Sequence, residues 1–156
     1  FKDNDERAIF FCKGVIETVK KLGWAPDIVH CNDWITSLIP MYLKTTYKND
    51  PMFKDSKTVF TVYDTEFAHK FQEDLLDKVK MVDIEDGMLK NLQTADYEGF
   101  IKIGAQYSDL VTKSSKNVET KINGLLSDLK DIKINTIEAD GEYVDSYLKL
   151  YHELAK

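Results

Sequence analysis

The chain is short of most features that mark a special class of protein. Only two cysteines, Cys12 and Cys31, stand in 156 residues. That is too few for a disulfide framework, and it fits buried, reduced thiols in a cytoplasmic protein. Three prolines and seven glycines leave no low-complexity linker. No apolar run approaches the roughly 18 to 20 residues that span a bilayer. The opening Phe1-Lys2-Asp3-Asn4 carries no signal-peptide pattern, so no membrane partner is expected. Positive charge is also scarce, with 21 Lys and Arg against 27 Asp and Glu for a net charge of −6. Without clustered cations a phosphate backbone cannot be neutralised, which excludes nucleic acid as an expected partner. Neither common glycine-rich phosphate loop is present, and no G-x-S-x-G turn marks a nucleophile. Cys12, Cys31, His30, His69 and His152 show neither C-x-x-C nor H-x-x-x-H spacing, so no metal is expected. Asp83-Ile84-Glu85-Asp86-Gly87 is acidic but lacks the ligand spacing of a calcium loop.

What remains is an ordinary globular composition, 43% hydrophobic and 31% charged, of a length that suits one domain. Helical and strand-like patterns alternate. Phe11, Val15, Val19 and Leu22 recur at helical spacing and gather on one face of a helix over residues 4–22. Asn4 or Asp3 suits its start and Gly23 its end. Ile28-Val29-His30-Cys31 is a short continuous apolar run of the kind buried in parallel sheets. A second helix, capped by Asn32 or Asp33, is predicted through Leu43 with a bend at Pro40. Lys57–Tyr63 is rich in β-branched and aromatic residues and reads as a strand. Residues 65–90 read as short helices and loops, 97–107 as a helix and Asp109–Thr112 as a strand. A helix capped by Ser114 or Ser115 runs to about Leu126. Asp131–Glu138 reads as the last strand and Gly141–Lys156 as the last helix. In that helix Tyr143, Tyr147 and Tyr151 form a row, read as core or docking surface. The alternation predicts one α/β domain over residues 1–156, a Rossmann-like parallel sheet flanked by helices on both faces. Ligands of such sheets bind outside the carboxyl ends of the strands, which puts function just after Cys31, Tyr63, Thr112 and Glu138.

Four polar clusters fall at such places, and each has two readings. His30-Cys31-Asn32-Asp33-Trp34 presents side chains and helix-start N–H groups to a crevice. Alternatively, His30 is a strand-end histidine bonded to backbone and Asp33 a plain cap. Tyr63-Asp64-Thr65-Glu66 offers two acids to sugar hydroxyls or proton transfer, or only caps the next helix. Thr112-Lys113-Ser114-Ser115 is a ligand loop or a serine cap. Asp3-Asn4-Asp5-Glu6-Arg7 places acids where a helix dipole favours them.

Several segments together resemble one family. Gly23-Trp24-Ala25-Pro26-Asp27-Ile28-Val29-His30-Cys31-Asn32-Asp33-Trp34, followed by Pro40 and Tyr42-Leu43, is similar to the P-D-hydrophobic-hydrophobic-H-x-H-D-W … P-x-Y-L segment of bacterial glycogen and starch synthases. Asp3-Asn4 with Glu6-Arg7 resembles that family's D-N-x-x-R-F helix start. Thr58–Asp64 stands where the family has hydrophobic-T-I-H-N, and Ala105–Ser115 resembles its x-x-A-D-x-V-T-T-V-S segment. The likeness covers roughly residues 3–126 in collinear order. It is similar in particular to a short form of the family found in bacteria of the Bacteroides group.

The resemblance implies a large part of the N-terminal half of a GT-B glycosyltransferase. It implies transfer of glucose from ADP-glucose to an α-1,4-glucan, with no cofactor. The first strand, the glycine-rich loop and the donor-binding C-terminal domain lie outside this sequence. The expectation is therefore that the isolated chain neither transfers glucose nor binds ADP. Catalytic positions map to Asp3, Asn32 and Asp64, and substrate-binding positions to His30, Asp33 and Tyr63. Three positions depart from the family. Its catalytic histidine is Asn32 here, its His-Asn pair is Tyr63-Asp64, and its aromatic-Gln-Gly is Phe67-Ala68-His69. An amide still hydrogen-bonds a sugar hydroxyl but does not titrate near neutral pH. The alternative is a non-catalytic glucan-binding or regulatory domain of the same ancestry.

Overall fold

The structure is a computed structural model that describes residues 1, 3–114, 116–129, 132–137 and 143–156. Helix α1 (Asn4–Leu22) leads into strand β1 (Ile28–Asn32). A 3-10 turn, Trp34–Thr36, precedes helix α2 (Leu38–Lys44) and strand β2 (Lys57–Val62). Helix α3 (Leu75–Val79), a second 3-10 stretch (Asp86–Leu92) and helix α4 (Tyr97–Gln106) follow. Strand β3 (Leu110–Lys113), helix α5 (Lys116–Leu126), strand β4 (Ile134–Thr136) and helix α6 (Tyr143–Leu154) complete the order. The expectations for Ser115, Asp131, Glu138 and Gly141 lie outside the described residues.

The four strands pair in parallel in the order β1-β2-β3-β4. Cys31 stands beside Phe60, which stands beside Val111, and Asn32 pairs with Thr61, which pairs with Thr112. This sequential order explains the layers. Right-handed crossovers that add each strand on the same side place every connecting helix on one face. Cys31, Phe60, Val62 and Val111 point into that face, together with Ala8, Cys12, Leu38, Phe100, Ile103 and Ile122. The opposite face carries Ile28, Val59, Leu110 and Ile137, and they meet Leu150, Tyr147, Tyr151 and Leu154 of α6.

Several local expectations are corrected. The buried side of α1 is Asp5, Ala8, Ile9, Cys12 and Ile16, rotated from the Phe11–Leu22 stripe. Phe11 is 46% and Leu22 71% exposed. The polar Asp5 and thiol Cys12 hide this face from a search for large apolar residues. The second helix does not start at Asn32 or Asp33. Asp33 adopts φ 61°, ψ −179°, a region natural only to glycine, which breaks the chain into a 3-10 turn and then α2. Pro40 is thus the third residue of α2, where its missing N–H costs no helical bond. Neither Asn4 nor Asp3 caps α1 through a side chain, because the Asp3 carboxylate takes the Arg7 guanidinium at 2.9 Å instead. Val29, expected deep in the sheet, is only half-buried, since β1 has one strand partner among the described residues.

Packing of α4 on the sheet requires Gly104. A Cβ there would lie 2.7 Å from the Phe60 ring and 3.0 Å from Ser37 Cβ. Asp96 caps α4 by accepting from the Gly99 N–H at 2.9 Å. Asp109 ties the amino ends of the strands together, accepting from Thr58 N at 2.7 Å and from Lys44 Nζ at 2.9 Å. Half-burial raises its carboxyl pKa. The Lys44 ammonium and the Thr58 donors outweigh that and hold it below the ordinary carboxylate value.

Candidate functional site

The parallel strands bring Asn32, Tyr63, Asp64 and Ser114 to one end of the sheet. The site starts from the bend at Asp33. Its N–H donates to the Thr61 carbonyl at 2.8 Å, which continues the ladder one residue past β1. Its Oδ2 accepts from the Thr65 hydroxyl, while its Oδ1 is buried with no hydrogen-bond partner among the described residues. Asp33 therefore clamps the segment that follows β2. That segment is held from the other side by Tyr97, whose hydroxyl donates to the Tyr63 carbonyl at 3.1 Å. Burial raises the Tyr97 phenol, and the Asp33 charge adds to it, so the phenol stays a donor.

Trp34 anchors the same turn from below. Its ring meets Phe67 at 5.0 Å and Phe100 at 5.9 Å, edge to face, and Phe71 at 5.7 Å. Phe67 in turn stacks on the His69 ring at 4.5 Å. Phe1, His69, Phe71 and Gln72 line a cavity of about 600 Å³ beside this cluster.

Of the residues singled out in the sequence, Asn32 and Tyr63 meet directly. The Tyr63 hydroxyl donates to Asn32 Oδ1 at 3.2 Å, and both side chains are exposed. Asp64 follows Tyr63 and is exposed. Asp3 lies at the first turn of α1, and hydrogen bonding to Arg7 keeps its carboxyl below the ordinary value. Asp5, two residues on, is wholly buried with neither oxygen hydrogen-bonded among the described residues.

His30 is placed differently from the crevice residues. It lies under α6, with Nδ1 2.5 Å from the Tyr151 hydroxyl and Nε2 2.6 Å from Thr61 Oγ1. Thr61 Oγ1 continues to Thr112 Oγ1 at 2.5 Å and to the Tyr147 hydroxyl at 3.1 Å. Both ring nitrogens are thus engaged inside the domain, and burial lowers the imidazole pKa. Sequence reasoning found the tyrosine row but not its partners. The signal was present, since Thr61 and Thr112 share the face of His30 by strand alternation once the register is known. Tyr143, the first of the row, is 46% exposed. Lys113, at the end of β3, is buried and donates to Asn123 Oδ1.

The cysteines are inert in this setting. Burial pushes the Cys12 thiol up to about 12 and the Cys31 thiol higher, so neither forms a thiolate near neutral pH. Among the described residues no group of His, Cys, Asp and Glu is placed to hold a metal ion, and no helix is long and apolar enough to cross a membrane.

A parallel sheet with a strained strand-to-helix turn and polar side chains at its carboxyl end defines a Rossmann-like α/β domain with a ligand crevice at that end. Its fold is that of a GT-B glycosyltransferase half. The catalytic domain of starch synthase IV from Arabidopsis thaliana, solved bound to ADP and acarbose, superposes with a TM-score of 0.64 at 18% identity. The match covers 94% of this chain and 32% of that one. The family model for the starch synthase catalytic domain matches residues 1–126, and the chain belongs to that family. A glycogen synthase of Desulforudis audaxviator is 38% identical over 122 residues, 78% of this chain and 24% of its own length. One from Clostridium perfringens is 36% identical over 120 residues, 77% of this chain and 25% of its own. The chain thus spans about a quarter of the length of these relatives.

Proposed function

We propose that this domain forms the acceptor-side wall of a glucosyltransferase cleft, in which glucose passes from ADP-glucose to the end of an α-1,4-glucan. The observation that carries this reading is the convergence of Asn32, Asp33 and Tyr63 at the carboxyl end of the sheet, in a chain of the starch synthase family. Asn32 and Tyr63 offer an amide and a phenol to sugar hydroxyls. Asp33 keeps the turn between them in place, Asp64 follows Tyr63 with a carboxylate, and Asp3 is assigned to the site on the family resemblance alone. His30 supports the wall from behind. The reading includes a cytoplasmic setting, where nucleotide sugars and reduced thiols coexist. It also requires a donor-binding domain, because the described residues offer no phosphate-cradling loop. The 156-residue chain alone is expected to give no glucosyl transfer from radiolabelled ADP-glucose to glycogen, and no calorimetric signal with ADP. Turnover above a heat-denatured control, or tight ADP binding, would overturn this division of labour.

A second reading is favoured by one observation. Asn32 and Tyr63, the residues that replace two family histidines, hydrogen-bond each other. A pair that satisfies itself suits a non-catalytic glucan-binding or regulatory domain. Affinity electrophoresis in glycogen-containing gels separates the readings when run beside the transfer assay on the complete gene product. Retardation without turnover supports the binding domain, and turnover supports the enzyme.

A further inference from the structure

We propose a second ligand site, away from the crevice, for a small phosphate ester of a polyol. It is a cavity of about 600 Å³ between the Asp86–Leu92 turn, α4 and the turn after α5. That volume lies within the range of small-molecule sites. The last turn of α4 leads into the start of β3, and the turn after α5 leads towards the start of β4. The cavity therefore belongs to the amino-end side of the sheet, opposite Asn32 and Tyr63.

Its chemistry is set by Lys90, Asn91, Lys102, Gln106 and Asp128. Several lysines elsewhere are paired with carboxylates, Lys20 with Asp50, Lys44 with Asp109, Lys78 with Glu6, Lys80 with Asp86 and Lys121 with Glu66, while others such as Lys48 and Lys57 stand singly on the surface among the described residues. Neither Lys90 nor Lys102 has such a partner among the described residues. Two uncompensated ammonium groups thus share one cavity in a chain of net charge −6, with Asp128 as the single carboxylate among its described walls. Two cations and one anion leave room for one further negative group. The amides are already fixed to each other, Asn91 Nδ2 donating to Gln106 Oε1 at 2.7 Å. That leaves the Gln106 NH₂ as donor and Asn91 Oδ1 as acceptor, and Asp128 as a second acceptor, all suited to hydroxyls. No aromatic side chain is among the described walls, so a nucleobase has nothing to stack on. One phosphate beside hydroxyls is the chemistry that satisfies all five side chains.

The test is a titration of the ¹⁵N-labelled 156-residue chain with glycerol 3-phosphate, inorganic phosphate and glycerol, following amide shifts. Glycerol 3-phosphate is expected to bind with a millimolar or lower Kd and to move resonances of residues 87–91, 102–106 and 128–129. Inorganic phosphate should bind the same residues at least tenfold more weakly, and glycerol should produce no shifts. The K90Q/K102Q double variant should lose at least tenfold in affinity with an unchanged circular dichroism spectrum. D128N should keep phosphate binding but lose the preference for the ester. K48Q, a remote charge change, should alter nothing. Three results would overturn the proposal. They are shifts scattered over exposed lysines, no saturation below about 20 mM, and equal affinity for phosphate and its ester. These readouts do not involve glucosyl transfer, so the site can fail while the crevice reading stands.

Discussion

The two faces of the sheet are built on different physics. On one, Phe60, fully buried, meets α4 so closely that only Gly104 fits, and α1 to α5 share a continuous apolar interior. On the other, a single helix, α6, is fastened by a hydrogen-bond network through His30, Thr61, Thr112, Tyr147 and Tyr151 over a small apolar patch. Close packing loses a full cavity when a side chain is cut, whereas a network of paired hydroxyls can re-pair around a missing member. Phe60→Ala should therefore give the largest effect, about 3 to 5 kcal/mol by urea unfolding. Tyr147→Phe should cost only about 0.5 to 1.5 kcal/mol, because Thr61 and Thr112 remain bonded to each other. Equal losses in the two variants would show that the faces do not differ as described.

Gly104→Ala sharpens the same contrast from the opposite direction. The added methyl must displace a buried Phe60 ring and Ser37, so overpacking of about 1 to 3 kcal/mol is expected. Gly14 has open space around a would-be Cβ, and an alanine there should be neutral or slightly stabilising. Thermal unfolding of the two variants side by side checks both signs.

The polar face should respond to pH where the apolar face does not. Burial lowers the His30 pKa below its unfolded value of 6.5, so the unfolded chain takes up the proton first. The stability that His30 contributes is then complete above about pH 6.5 and is lost as pH falls below it. The midpoint difference between the wild type and His30→Gln should shrink between pH 7.5 and 5.5. A difference that is constant or grows on acidification would remove the network from the account. Asp109 behaves likewise at lower pH. Its depressed pKa gives stability present above the unfolded carboxylate value and lost as pH falls through the folded one.

This asymmetry also marks the boundary of what the sequence made legible. The strands at Ile28 and Lys57 and the helix at Tyr97 announce themselves by period and composition, and the crevice follows because parallel strands share a direction. Strand order does not announce itself, since a βαβ pattern is the same whichever side the next strand joins. Both faces are therefore expected to carry helices, but not the division seen among the described residues, α1 to α5 against α6. The bend at Asp33 was invisible for a related reason. A positive φ at a non-glycine residue is imposed by surrounding contacts, here Thr61 and Thr65, that lie far along the chain. The likeness to the starch synthase family is read from Gly23–Trp34 taken in order with Asp3–Arg7, Thr58–Asp64 and Ala105–Ser115. The placement of His30 behind the wall rather than in it required the register.

The smallest expected effect is the one that locates the crevice. Asn32 is exposed at the end of β1, and its side chain is bonded to the exposed Tyr63 hydroxyl. The segment it borders is held independently by Asp33, Trp34 and Tyr97. Asn32→Ala should thus change stability by less than about 0.5 kcal/mol, as for surface positions without a structural role. The Thr36 hydroxyl still donates to the Asn32 backbone carbonyl, which the substitution leaves intact. A loss of about 1 kcal/mol or more in Asn32→Ala, matched by a similar loss in Tyr63→Phe, would mean that the pair staples β1 to β2. Asn32 would then belong to the fold and not to the wall of a cleft, and the polar rim at the carboxyl end of the sheet would reduce to Asp33 and Asp64.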